Sequence, residues 1–377
     1  MKVWVPELYI RWTQDAGQAH GEAMWTLHEV DGQDARLLDA YVEAANTVVV
    51  DTWGVTDFCR NAREVAGSLR DQQYELKWRR VALDEDGTAV GYAALNLPLQ
   101  DNTHTGYLEV GTIPAARRRG IGSALYDEVL AAAKAQGRTK VTTSTDQVAE
   151  PPVGVDTLAA STGEGRVAAD DAPVRFVTSR GWQLEQVERR SVLDVPLDPE
   201  ILAEHRAAAE QVAGDEYRVV TWTDHCPEEW LDQFAILQTR MSTDVPTGGL
   251  DWGEEAWDGP RVRAREAEFA DRGLGYLTAA AEHVPTGTLA GYTSFLVVPH
   301  TDEYVHQHDT LVIREHRGRR LGMLLKAANL QRLPQELPNV RRIGTWNAEE
   351  NAPMLAINIE LGFRPAGGAG EWQLDLV

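Results

Sequence analysis

Apolar and polar residues along this chain alternate with two periods, one of two residues and one of about 3.6, and the two periods take turns. Residues 25–30, Trp-Thr-Leu-His-Glu-Val, alternate as a half-buried strand does; an Asp31-Gly32 turn follows, and 35–45 reads as a helix. Strands are predicted at 79–83 and 89–95, joined by Asp84-Glu85-Asp86-Gly87 as a hairpin, and at 107–113, where Pro114 ends the run. Over 121–136 the spacing becomes helical, with Ile121, Leu125, Val129 and Ala132 on one face, and 140–144 returns as a strand. Residues 147–171 are rich in Gly, Ala, Pro and Ser and read as a flexible insertion, before a helix at 173–180 ended by Gly181-Trp182 and a strand at 183–193.

The order then recurs. After a helical connector at 198–214, strands are predicted at 217–222, 276–282, 289–297, 305–313, 342–346 and 372–377. Helices are predicted at 227–241, 261–272, 321–332 and 352–360, with a Trp-, Asp- and Gly-rich segment at 242–260. Interleaved strands and helices give an α/β sheet in each half. The expected layout is an N-terminal extension at 1–23, a first unit at 24–197, a connector at 198–214 and a second unit at 215–377.

One phrase is written in both halves. Gly91-Tyr92 precedes Arg117-Arg118-Arg119-Gly120-Ile121-Gly122, and Gly291-Tyr292 precedes Arg317-Gly318-Arg319-Arg320-Leu321-Gly322, each tyrosine 25 residues before its first arginine. A strand entering a basic, glycine-bearing turn and then a helix aims backbone amides at a phosphate, because the first N–H groups of a helix lack internal partners.

Composition narrows the classes. The 377 residues suffice for two domains of ordinary size, and no apolar run nears the ~20 residues of a membrane span. The first 20 residues lack the apolar core of a secretory signal, and a reducing cytoplasm is the expected compartment. Two cysteines, Cys59 and Cys226, give neither a disulfide framework nor a zinc spacing, so no metal is expected. With 36 Lys and Arg against 58 Asp and Glu, the net charge of −22 disfavours nucleic acid as a partner; it suits a cationic one, and it equally serves solubility alone.

The order strand, hairpin, strand, Arg-x-x-Gly-x-Gly, helix, strand, then a helix ending in Gly-aromatic resembles the GNAT superfamily of acyl-CoA-dependent N-acyltransferases. The doubling resembles its two-domain members, of which mycothiol synthase is one. The resemblance implies two tandem GNAT-like domains, each a mixed, mostly antiparallel twisted sheet flanked by helices. It implies acetyl-CoA, or another acyl-CoA, as the donor, and a small-molecule primary amine as the acceptor, with the protein a monomer or homodimer. It further implies that Arg117, Arg118, Arg119, Gly120, Ile121, Gly122 and Ser123 hold pyrophosphate while Val110, Gly111 and Thr112 bond the pantetheine. The corresponding second set is Arg317, Gly318, Arg319, Arg320, Leu321, Gly322 and Met323 with Thr310, Leu311 and Val312, and Asn347 and Asn351 stand beside it. Arg320 replaces the motif's first glycine, and its N–H remains available if its φ is negative.

At the position where family members commonly carry a tyrosine that protonates the departing thiolate, this chain has Val177 and Asn358. The first unit's strand offers only Glu109, with His104 beyond its start. On the second, alternation puts Tyr304, His306, His308 and Thr310 on one face and Gln307 and Asp309 on the other. The second unit is therefore the expected catalytic one, with His306, His308, Asp309 and Asn358 as candidates and either histidine as base. For the acceptor, Asp244, Asp251, Glu254 and Glu255 with Trp252 and Trp257 form either an anionic, aromatic wall or a loop whose tryptophans pack on the sheet. Two alternatives remain: a CoA-binding regulatory protein without turnover, or a relative that takes its acyl group from aminoacyl-tRNA.

Overall fold

The computed structural model describes residues 24–376; the appendage expected at 1–23, and Val377 at the end of the last expected strand, lie outside the described residues. The first unit runs β1 (Trp25–Glu29), α1 (Ala35–Trp53), α2 (Ala62–Arg70), β2 (Glu75–Asp84), β3 (Ala89–Pro98), β4 (Tyr107–Thr112), α3 (Ile121–Ala135), β5 (Lys140–Gln147), β6 (Thr157–Ala159), β7 (Arg166–Ala168), α4 (Ala172–Thr178) and β8 (Gln183–Asp194). Helix α5 (Pro199–Ala213) connects it to β9 (Tyr217–Thr223), α6 (Leu231–Asp244), α7 (Gly259–Arg272), β10 (Gly275–His283), β11 (Thr288–Val297), β12 (Tyr304–Val312), α8 (Leu321–Glu336), β13 (Arg342–Ala348), α9 (Ala352–Glu360) and β14 (Arg364–Asp375).

Two elements exceed the sequence reading. Asp34 caps α1 by accepting from the N–H groups of Arg36 and Leu37, and Leu38, Tyr41, Ala45 and Val49 bury one face. The helix passes its expected end at 45 and stops only where Gly54 turns left-handed, at φ 67°. Helix α2 had no counterpart in the pattern; Asn61 caps it through the Glu64 N–H, and its Gly67 packs so closely on Arg272 of α7 that a Cβ would lie 2.9 Å from the Arg272 Cα.

The strands form one twelve-stranded sheet in the order β1-β2-β3-β4-β5-β14-β8-β13-β12-β11-β10-β9. The last strand of the second unit, β14, lies between β5 and β8, and β8 of the first unit pairs with β13. Each unit was expected to close its own sheet; instead the two exchange their final strands. Trp372 on β14 is 1% exposed, sits in the core with Leu125, Val129 and Trp182, and donates its Nε1–H to Thr145 at 2.9 Å. The stretch 147–171 also departs from a featureless insertion, because β6 and β7 form a hairpin whose Val167 is buried in that core. Among the described residues, no helix is long and apolar enough to cross a membrane.

Candidate active site at the seam of the two units

In both units the strand before the arginine turn parts from its neighbour. Strand β4 pairs with β5 only at Tyr107 and Thr142, and β12 with β13 only from Tyr304 to His306. The edges of β4 and β12 beyond those pairs keep backbone N–H and C=O groups for another partner. A single cavity of about 700 Å³ opens into both gaps, roofed by Val49 and Trp53 of α1 and by Phe58, and walled by residues of β4, β5, β8, β12 and β13.

A bulge decides which groups of β12 face it. Thr293 pairs with Thr310 and Phe295 with Gln307, so His308 and Asp309 together oppose the single residue Ser294. The slip overturns the simple alternation expected for this strand. Thr310 shares the Gln307 side, its hydroxyl 2.8 Å from that of Thr293, and Asp309 joins His308 in the cavity wall, Oδ2 to Nδ1 3.3 Å. The Tyr292 hydroxyl donates to Asp309 Oδ2 at 2.8 Å. Burial pushes the His308 pKa down, but the Asp309 carboxylate outweighs it and holds it above the usual 6.5; His308 stays 36% open to the cavity. His306 differs. Packed on Tyr304 and Phe58, it is lowered to about 4 by burial and by the neighbouring His308 and His300.

The first unit repeats the tyrosine and the carboxylate without the histidine. Tyr92 donates to Glu109 at 2.5 Å, and Arg60 pairs with the same oxygen at 3.4 Å. Burial raises the Glu109 carboxyl, yet Arg60 and Tyr92 together hold it below its ordinary value. Val177 is buried in the core.

Between these strands lies an acidic floor. Asp146 on β5 and Glu188 on β8 are both in register with Ala369 of β14, and Glu371 two residues on lies on the same face. Asp146 accepts from the Trp53 Nε1–H at 3.0 Å and is pushed up to about 6, chiefly by burial. Burial and like charge also push Glu188 and Glu371 upward. Trp53, Phe58 and Trp346 stand over this floor with ring centroids 5.4 to 5.9 Å apart.

The two arginine turns share one backbone. Left-handed φ falls at Arg118 (65°) and Gly120 (85°) in the first, and at Gly318 (79°) and Arg320 (53°) in the second, so the glycine has changed places between equivalent positions. Arg320 thus adopts positive φ, against the negative value its N–H was expected to need, and its guanidinium is held by Glu360. Neither turn has a side-chain cap, leaving the first N–H groups of α3 and α8 without intrahelical partners. Arg117 bonds the Thr112 carbonyl and Asp51 at the end of α1; Arg317 bonds the Val312 carbonyl and the Asp244 carbonyl at the end of α6. Arg119, Arg319 and Ile121, Leu321 extend each turn into its helix, and Ser123 accepts from Arg180 at 2.9 Å. Gly122 is half-buried, whereas Gly322 is buried against Ile357. Gly111 lies under the Tyr92 ring, Val110 lines the cavity, and Leu311 faces the core beside Tyr292. Met323 is 1% exposed in the core.

Several expected site residues lie elsewhere. Asp244, expected in the acceptor wall, instead flanks Arg317 with its carboxylate 3.7 Å away. Asp251 sits between His104 and Lys140, and Trp252 and Glu254 are exposed, all outside the cavity. The backbone around them needs partners and finds them at Asn102 of the first unit, which accepts from Gly253, and at Gln373 of the exchanged strand β14, which accepts from Asp251. Only Met241, Val245 and Pro246 from this region reach the cavity. Asn358 is 2% exposed and donates to Asn347 Oδ1 at 2.7 Å, and Asn351 caps α9 while lining the wall with Asn347. The sequence reading missed Trp53, Phe58, Asp146, Glu188 and Lys326; only Lys326, a lone cation in the apolar run Leu321 to Leu330 interrupted otherwise by Asn329, left a readable signal.

Comparison with known proteins agrees with this geometry. The model of the acetyltransferase (GNAT) family matches residues 53–151 and 237–363, more than half of the chain. This chain belongs to the GNAT acetyltransferase family. A tandem GNAT protein from the clavulanic acid biosynthesis pathway is similar at 26% identity and TM-score 0.71, covering 93% of this chain and 98% of its own. The fold is shared with a GCN5-related N-acetyltransferase from Sphaerobacter thermophilus (15% identity, TM-score 0.57, 93% and 96% covered). It is also shared with Saccharomyces cerevisiae N-myristoyltransferase (11% identity, TM-score 0.56, 94% and 80% covered). No curated protein matches the sequence. The chain is a tandem GNAT-type acyltransferase, and its family acts with acyl-CoA.

Proposed function

We propose that this GNAT protein transfers an acetyl group from acetyl-CoA to the primary amine of a small molecule, with the chemistry in the second unit. The His308–Asp309 pair, turned into the cavity by the β12 bulge, carries the reading. The donor residues fit coenzyme A: uncapped helix starts behind basic turns suit a diphosphate, and the open edges of β4 and β12 suit an amide-bearing chain. In the first unit these are Arg117 to Ser123 with Val110, Gly111 and Thr112; in the second, Arg317 to Met323 with Thr310, Leu311 and Val312. Acyl-CoA supplies an activated thioester carbonyl.

The chain's own residues do the rest. Asp146 and Glu188 hold an ammonium group under the rings of Trp53, Phe58 and Trp346. His308 takes a proton from the nitrogen, and Asp309, fixed by Tyr292, orients the imidazole and stabilises its cation. His306 is too weak a base for that step and serves as wall; Asn358 acts on the cavity through the residues it bonds, Asn347 and Lys326.

Incubation with acetyl-CoA and a panel of small primary amines is expected to release free thiol with at least one of them. Tight CoA binding without thiol release across the panel would make the chain a binding protein instead. Gly122→Val, whose new Cβ would lie 3.1 Å from the Thr112 hydroxyl, is expected to weaken CoA at the first turn about tenfold or more. Calorimetry reads this as one weakened site; unchanged binding would remove that turn from the cofactor site.

A further inference from the structure

We propose that Lys326 is the acid that gives a proton to the sulfur leaving the second unit's thioester. The inference rests on the reading of that unit as catalytic. Lys326 sits on α8, five residues after its start, in a stretch where every residue from Leu321 to Leu330 is buried. It is 1% exposed, yet it contributes to the cavity wall.

Its surroundings do not explain a cation. Nζ donates to Asn358 Oδ1 at 2.9 Å and lies 5.7 Å from the centroid of the Phe363 ring. An ammonium group has three donors, and among the described residues no carboxylate pairs with it. Helix α8 packs on α5, α9, β10, β11 and β12, and of these only α9 offers Lys326 a hydrogen-bond partner. The titratable groups sharing the cavity are Arg60, Tyr92, Tyr107, Glu109, Asp146, Glu188, His306, His308 and Asp309, and none bonds it. An unpaired ammonium this deep is costly, and burial lowers its pKa to about 7. A side chain needed only for packing would be apolar here. At the matching place on α3 the chain carries Tyr126, whose hydroxyl accepts from Trp182.

The chemistry requires such a group. When the acceptor nitrogen bonds to the thioester carbon, the C–S bond breaks and its electron pair leaves on sulfur. The Lys326 ammonium passes one proton to that sulfur and becomes a neutral amine, which later regains a proton from solvent. The nitrogen loses two protons between ammonium and amide: the first goes to His308 and frees the lone pair for attack, and the second passes to solvent once the C–N bond has formed. Thioester and ammonium thus become amide and free thiol, with one proton released.

The test uses the whole chain with Lys326→Met and Lys326→Gln, the glutamine keeping a donor to Asn358. With acetyl-CoA, kcat is expected to fall about 10²-fold in both variants, with KM for the donor nearly unchanged. An acetyl thioester of a low-pKa aromatic thiol needs no acid, and the deficit with it is expected to shrink to a few-fold. Without turnover, ultraviolet absorbance of bound CoA is expected to show thiolate at lower pH in the wild type than in either variant. An equal deficit with both donors, or identical thiolate absorbance in all three proteins, overturns the assignment. If the wild type shows no transfer at all, the functional reading fails, and the absorbance comparison still decides Lys326.

Discussion

Replacing His308 with alanine is expected to lower kcat by roughly 10²- to 10⁴-fold while leaving CoA binding intact, because it removes the base and no part of either arginine turn. The neutral imidazole is the active form. Asp309 holds its pKa above 6.5, so kcat/KM should climb with pH through that raised value and fall again as Lys326, lowered to about 7 by burial, loses the proton it gives to sulfur. Asp309→Asn removes the charge that raises the His308 pKa, and the rising inflection should move to lower pH as the maximum rate falls. His306→Ala is the control: with a pKa near 4 its imidazole is already neutral at the pH of the assay, and only a small change is expected. Equal losses in His306→Ala and His308→Ala, or a pH profile untouched by Asp309→Asn, would overturn the assignment of the base.

What the sequence made legible was local. The turns at 117–123 and 317–323 are set by neighbouring residues, and the periodic runs around them place every strand from 79 to 113 and from 276 to 313 within a few positions. The bulge escaped because it depends on β11: Thr293 and Phe295 keep their partners only if His308 and Asp309 share Ser294, and no pattern within β12 encodes that. The acidic floor escaped for a longer-range reason. Asp146 and Glu188 come together only because a strand from the far end of the chain, β14, lies between β5 and β8. Charged segments mislead in the same way. Asp251 and Glu254 look like an anionic wall in one dimension, yet the backbone beside them is bonded to Asn102 of the first unit and to Gln373 of the exchanged strand β14, outside the cavity.

Asp57→Ala is expected to destabilise the protein by about 3–5 kcal/mol, the cost of leaving a buried charge without its partner. Asp57 is 1% exposed in the segment between α1 and α2; it accepts from Arg342 of β13 at 2.6 Å and from Arg190 of β8 at 3.5 Å. Arg190 is itself buried, with its guanidinium 4.8 Å from the Phe58 ring and 5.0 Å from the Trp53 ring, so it has no route to water when the carboxylate is gone. Arg342→Ala should cost less, since Arg342 is a third exposed and its loss still leaves Asp57 paired with Arg190. Because β8 and β14 belong to the sheets of both units, denaturant unfolding of Asp57→Ala should remain a single transition at a lower midpoint, without one unit melting ahead of the other. Trp53 and Phe58 roof the cavity, so the same variant should also raise KM for the amine. A midpoint shift worth under 1 kcal/mol would mean that the exchanged strands, and not this carboxylate, hold the two units in register.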